Sequence, residues 1–293
     1  MLFKKLRLTR HERRCATEFE GSCPDRPWSN LYDLLPFELT ELAMRGEPKA
    51  AFVMGDRFDQ GMDGLDADLE KALFFYRLGE EQNDFEAINN IGSMYFHGDG
   101  LPKDLELARQ YFERAADGGV AGAMNNLGRM YLDGEGGLPV DIERGLALLE
   151  RGARLHDVNA ALKMQNIYDE GQYGQPVDMF RHIYWLWQSI YNGSGWACGR
   201  LADYLREGEI VRHQGPRARE FYERGMLHGD RYATLQLGID YWSGNCGPRN
   251  FDSALHFLTM AEDMGSTFAT ECISKVRKTQ SNHSEVCARA FDT

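Results

Sequence analysis

The stretch Ala87-Ile-Asn-Asn-Ile-Gly-Ser-Met-Tyr95-Phe-His-Gly98-Asp-Gly100 returns almost position for position as Ala123-Met-Asn-Asn-Leu-Gly-Arg-Met-Tyr131-Leu-Asp-Gly134-Glu-Gly136. The match runs on: Asp104, Ala108, Tyr111 and Ala115 parallel Asp141, Gly145, Leu148 and Gly152. A fixed period of this size is the signature of a repeat architecture and has to be read before any local motif. The same frame extends both ways, with units beginning near Ala50, Ala87, Ala123, Ala160, Ala197 and Ala233 and a further start at Ala269.

Each unit reads as two helices. Ala87, Ile91 and Tyr95 recur every four residues and share one helical face. Gly92 removes a side chain where a neighbouring helix has to approach. Gly98 ends the helix, because glycine tolerates the left-handed conformation that follows a helix C-terminus. Asp104 is placed to cap the second helix by accepting from its free backbone N–H groups. Asp68, Asp141 and Asp178 occupy the same slot, with Gln214 and Asn250 in the last two units. Ala108, Tyr111 and Ala115 form the expected buried stripe of the second helix. One such hairpin cannot bury both of its faces, but stacked copies can. The expected fold is all-α: a right-handed α-solenoid superhelix of about six helix-turn-helix repeats, spanning 31–279. Pro36 to Gly46 and Ala269 to Lys278 are expected as half-repeat caps. Residues 1–30 are expected as a partly disordered or docked extension, and 280–293 as a tail.

The repeats resemble the Sel-one-like family, relatives of tetratricopeptide repeats. The family pattern is A-x3-L-G-x2-Y-x2-G-x-G, a loop with Pro and Asp, then A-x2-W/Y/F-x3-A-A-x3-G. Units two and three follow it through Leu101-Pro102-Lys103-Asp104 and Leu138-Pro139-Val140-Asp141. Unit four departs most, with Gln165 at the glycine position and His182 at the alanine position. The resemblance implies a non-enzymatic scaffold or adaptor that binds another protein or peptide segment. A bacterial immunity or chaperone role towards a secreted toxin is a second reading, and a weak hydrolase a third. The hydrolases in the family carry paired cysteines in their repeats, which this chain lacks.

Composition narrows the classes further. The 293 residues are 43% hydrophobic and 27% charged, a folded rather than disordered balance. No apolar run reaches the ~18 residues of a membrane span. Net charge is −12. The first fourteen residues are basic (Lys4, Lys5, Arg7, Arg10, Arg13 and Arg14 against Glu12), so the body is more acidic still. Such a surface disfavours nucleic acid, whose phosphates need cations. The basic start has no apolar segment behind it, so it is not a secretory signal; a cytoplasmic location and reduced thiols are expected. The segment Leu2 to Leu8 could lie on an anionic membrane surface, dock on the acidic body, or be disordered. The six cysteines form no CxxC pair, leaving free thiols or a Cys15–Cys23 bridge.

No catalytic motif stands out, and no cofactor or metal is expected. Gly98-Asp-Gly100 and Gly134-Glu-Gly136 are helix-to-helix turns in the repeat frame. Asp59, Asp63, Gly64 and Glu70 follow a calcium-loop spacing, but Gly61 stands where a ligand belongs and Asp68 is assigned as a cap. The informative surface is that of the first helices. Offsets 3, 6 and 10 from each starting alanine lie away from the apolar stripe. In the central units these are Asn90, Ser93 and His97; Asn126, Arg129 and Asp133; Lys163, Asn166 and Glu170; and Arg200, Asp203 and Glu207. The tetratricopeptide resemblance places them in a concave groove for a partner. Arg129, Lys163 and Arg200 could form a basic ridge for an acidic peptide, or be neutralised by Asp133, Glu170, Asp203 and Glu207. Tyr184, Trp185, Trp187, Tyr191 and Trp196 crowd unit four, either filling the space left by the missing Ala and Gly or anchoring an interface.

Overall fold

Asp68, Asp104, Asp141, Asp178 and Asn250 each accept from backbone N–H groups two or three residues ahead, and a helix begins at the next residue in every case. Gln214 does not cap; its longer side chain accepts instead from the Arg217 guanidinium at 3.1 Å. The computed structural model describes residues 31–47, 49–208 and 213–291, with side chains described up to 281. Cys15, Cys23 and the basic start lie outside these residues.

Fourteen α-helices are present among the described residues: α1 (Pro36–Arg45), α2 (Ala50–Gln60), α3 (Leu69–Glu81), α4 (Phe85–His97), α5 (Leu105–Asp117), α6 (Ala121–Asp133), α7 (Ile142–Arg154), α8 (Val158–Glu170), α9 (Met179–Tyr191), α10 (Gly195–Glu207), α11 (Gly215–Leu227), α12 (Arg231–Ser243), α13 (Phe251–Asp263) and α14 (Thr267–Phe291). Six hairpins run from α2/α3 to α12/α13, and no strand occurs among the described residues. The chain divides into two compact units, one ending at Leu155 and one starting at His156. A second set of caps was not foreseen: Asp84, Asp157, Ser194 and Asp230 cap the first helices of their hairpins.

In the first unit the core is built hairpin by hairpin. Ile91, Ala87 and Met94 of α4 pack with Tyr76 and Phe75 of α3, and Phe112, Ala115 and Ala108 of α5 pack with Met124, Leu127 and Tyr131 of α6. The second helix buries one residue beyond the expected aromatic slot. Phe112 is buried, whereas Tyr111 is half-buried, stacks on Tyr95 at 5.7 Å and accepts from Arg77 through its hydroxyl. Ala108, Phe112 and Ala115 are spaced four and three residues apart and Ala108, Tyr111 and Ala115 three and four, so both fit a 3.6-residue turn and packing against the neighbouring helices decides between them. At the start of this unit the buried Arg57 donates to the carbonyls of Leu34 and Tyr32 at 2.6 and 2.7 Å and pairs with Asp63 at 2.8 Å. Two groups of the calcium-like loop are thus engaged, Asp63 with Arg57 and Asp68 as a cap.

The second unit is assembled the same way, with Leu186, Leu201, Ala202, Tyr222 and Leu237 in one cluster and Leu258, Ile273 and Val276 in another. The last helix does not stop where a half-repeat cap was expected. From Thr267 to Phe291 the sequence holds neither glycine nor proline, so nothing terminates α14 near 279 and it crosses into the expected tail.

Glycine sets the helix spacing within a hairpin. In α6/α7, a Cβ on Gly145 would lie 2.9 Å from the Gly128 carbonyl oxygen and 2.7 Å from Leu132. The backbone oxygen cannot swing away. Gly145→Ala should therefore lower stability by about 1–2 kcal/mol, overpacking outweighing the helix propensity that alanine adds. A thermal melt no lower than wild type would show that the hairpin opens freely.

Candidate functional site

The equivalent contact in the next hairpin is polar. Gln165 of α8 takes the position of Gly128, and His182 of α9 that of Gly145. The two departures from the repeat pattern face each other: the Gln165 carboxamide lies 3.2 Å from His182 Nδ1, and both side chains are buried, at 2% and 1% exposure. Asp169 approaches the same Nδ1 at 3.4 Å, and the Tyr204 hydroxyl lies 3.0 Å from Nε2. Burial pulls the His182 pKa down despite the nearby Asp169. A large polar pair has replaced two small residues and answers both nitrogens of the buried imidazole, while the Gln165 Oε1 is buried without a hydrogen-bond partner.

Above this pair lies a cavity of about 300 Å³ lined by Gln165, Asn166 and Asp169 of α8, Trp196 and Arg200 of α10, and Tyr232 of α12. Three successive first helices contribute, one from each hairpin of this unit. Its floor is organised by Asp203. That carboxylate accepts from the Tyr222 and Tyr232 hydroxyls at 2.7 and 2.8 Å and pairs with Arg206 at 3.1 Å and Arg200 at 3.4 Å. Burial and the Asp203 carboxylate push the Tyr232 pKa up to about 12 and raise that of Tyr222 as well. Both phenols hold their protons and act as donors. The mouth is mixed: a carboxylate at Asp169, a guanidinium at Arg200, the exposed carboxamide of Asn166 and the Trp196 indole. Hydrogen-bond donors and acceptors thus stand side by side at the mouth.

Of the residues expected on the partner face, Asn166 and Arg200 meet at this cavity. Asp203 is 3% exposed and acts beneath the surface rather than on it, because four donors draw it inward. Lys163 donates to Gln172 at 3.4 Å and lies 5.0 Å from the Tyr173 ring centre. Glu170 accepts from Gln172, and Glu207 accepts from Arg206. Arg200 is half-buried, engaged by Asp203 and set against the rings of Trp196 and Tyr204. In the first unit Arg129, Asp133 and His97 are exposed and Ser93 half-buried, while Asn126 donates to Asn89, which donates to Asn90. Arg129 belongs to the first unit, Lys163 and Arg200 to the second. The frame had no means of selecting Asp169 and Tyr232. Gln165 was visible as an anomaly of unit four without a stated role, and Trp196 as one of its crowded aromatics, read there as space-filling or as an interface anchor. Among the described residues, no group of three His, Cys, Asp or Glu side chains is placed to hold a metal ion.

The Sel1 repeat model matches residues 48–84, 85–120, 121–157, 197–230 and 231–266, and the chain belongs to the Sel1 repeat family. The match passes over 158–196, where Gln165 and His182 stand, although α8 and α9 form a hairpin there. Among solved structures the chain is similar to c5321, a protective antigen of uropathogenic Escherichia coli displaying an SLR fold, at 24% identity and a TM-score of 0.62. That likeness covers 83% of this chain but 52% of that protein, so the chain spans about half the length of this relative. A Sel1 repeat protein from Oxalobacter formigenes is 26% identical with a TM-score of 0.60, over 80% of this chain and 86% of that one. The all-α solenoid class expected from the sequence is thereby shown. No curated protein matches the chain. No described helix is long and apolar enough to cross a membrane.

Proposed function

We infer that the chain is a non-enzymatic scaffold that holds a protein or peptide segment against its first helices. Sel1 repeat proteins generally mediate protein–protein interaction. The observation that carries the reading here is the cavity of the second unit, walled by three successive first helices and offering both hydrogen-bond donors and acceptors. An extended peptide has both along its backbone, and an aromatic wall such as Trp196 adds contact area at little entropic cost. A reducing compartment, the cytoplasm, belongs to this reading: Cys198, Cys246 and Cys272 are buried free thiols, and burial raises their pKa values.

The test is copurification from the native host, followed by mass spectrometry, with wild type and an Asn166→Arg variant. Asn166 is exposed at the mouth, so melting should change by less than about 0.5–1 kcal/mol equivalent. The expected result is a partner recovered with wild type and lost with the variant. A partner retained unchanged moves the binding surface away from α8.

A further inference from the structure

Helix α9 presents a seam of bare aromatic rings. Phe180 is 92% exposed, Tyr184 48%, Trp187 42% and Tyr191 73%. Their spacing of four, three and four residues places them on one helical face, the spacing with which a helix meets another helix. Trp185, in the recurring aromatic slot, is buried; these four therefore do not fill the space left by the missing small residues. Trp187 is propped edge-on against Phe221 at 5.4 Å, and Tyr191 against His156 at 5.5 Å, so the rings are held outward.

The other hairpins provide the control. The equivalent positions of α5 are Glu106, Gln110, Glu113 and Asp117, and those of α13 begin with Asp252 and His256. The fold asks for polar residues here, and only α9, among these second helices, shows a ring at each of the four positions. It also carries a single formal charge, Arg181, in a chain that is 27% charged. Aromatic enrichment with charge depletion marks the core of an interface rather than solvated surface.

We propose that this seam is the two-fold contact between two copies of the chain. Two properties select a second copy as the occupant. The first is electrostatic: each copy carries a net −12, so copies repel on average where acidic faces meet, and α9 contains no Asp or Glu between Met179 and Tyr191. The second is geometric: antiparallel pairing of a four-three-four seam sets Phe180 opposite Tyr191 of the other copy and Tyr184 opposite Trp187, so no ring is left over, as an isologous contact requires. At these exposures the four rings offer roughly 500 Å² per copy, or about 1,000 Å² in all, the lower bound for a specific interface. The dimer is accordingly weak and reversible, and it forms on second helices, independently of any partner held by the first helices.

Sedimentation equilibrium of the full chain tests this. Wild type should pass from monomer to dimer between about 1 and 300 µM. Phe180→Asp and Tyr191→Asp should each weaken the dimer by at least ~10-fold, with the thermal melt of the dilute monomer unchanged because both rings are exposed. Gln110→Asp, at an outward position of α5, should leave the dimer as it was. Wild type that stays monomeric at the upper concentration overturns the proposal, as does a dimer indifferent to Phe180→Asp. If Trp187, read as the difference in quenching between wild type and Trp187→Phe, is shielded from a soluble quencher in the dilute monomer, the seam is already covered by the same chain and the proposal fails.

Discussion

Asp203→Ala should destabilise the second unit by about 3–5 kcal/mol, the cost of removing one partner from a buried ion pair. The carboxylate is the common acceptor for two phenols and two guanidinium groups. Its removal leaves the Tyr222 hydroxyl buried without an acceptor, and Arg200 and Arg206 facing each other across the gap. Asp203→Asn keeps the shape and one oxygen but loses the charge, so it should fall between alanine and wild type. Urea unfolding followed by tyrosine and tryptophan fluorescence would read both. An alanine variant within about 1 kcal/mol of wild type would show that water replaces the carboxylate and that the network is not a structural centre.

Tyr131→Ala should cost the first unit a similar amount, about 3–5 kcal/mol, through the cavity left by a large core aromatic. The ring is buried among Phe112, Met124, Leu127 and Met130, and the Arg144 guanidinium stands 4.4 Å from its centre. Tyr131→Phe keeps the ring and should change stability by less than about 1 kcal/mol. Because a solenoid repeat contacts mainly its neighbours, the loss should be felt as earlier hydrogen exchange in α5 to α7, ahead of global unfolding. Alanine and phenylalanine variants of equal stability would mean that the ring is not part of the core.

The repeat frame made the fold legible because its signals are local. Glycine after a helix, an aspartate before one and a four-residue apolar period each act within a turn or two of chain, and all recur. What the frame missed depends on contacts between helices. Tyr111 looked like the buried aromatic, yet Phe112 faces the core, a difference of one residue that only the hairpin's packing angle decides. Asp203 looked like a surface residue because its offset is a surface offset. It is buried because Tyr222 and Tyr232, nineteen and twenty-nine residues further on, reach back to it. Of the site, Asn166 and Arg200 were legible by register. Asp169 and Tyr232 were not, since their offsets carry no common meaning from one unit to the next.

The exchange of Gly128/Gly145 for Gln165/His182 has a consequence for how such a chain can change over time. Neither half of the polar pair fits its present surroundings as well alone: a small residue in place of either would leave the other's carboxamide or imidazole without the 3.2 Å contact and with a cavity beside it. The two belong together, although sixteen residues stand between them in the sequence. For this pair the piece that can be duplicated, shuffled or borrowed between related proteins is therefore the complete hairpin. A recombination point inside it would separate Gln165 from His182, whereas one at the cap before a first helix keeps them together and divides only the bonds from His182 to Tyr204 and from Asp203 to Tyr232.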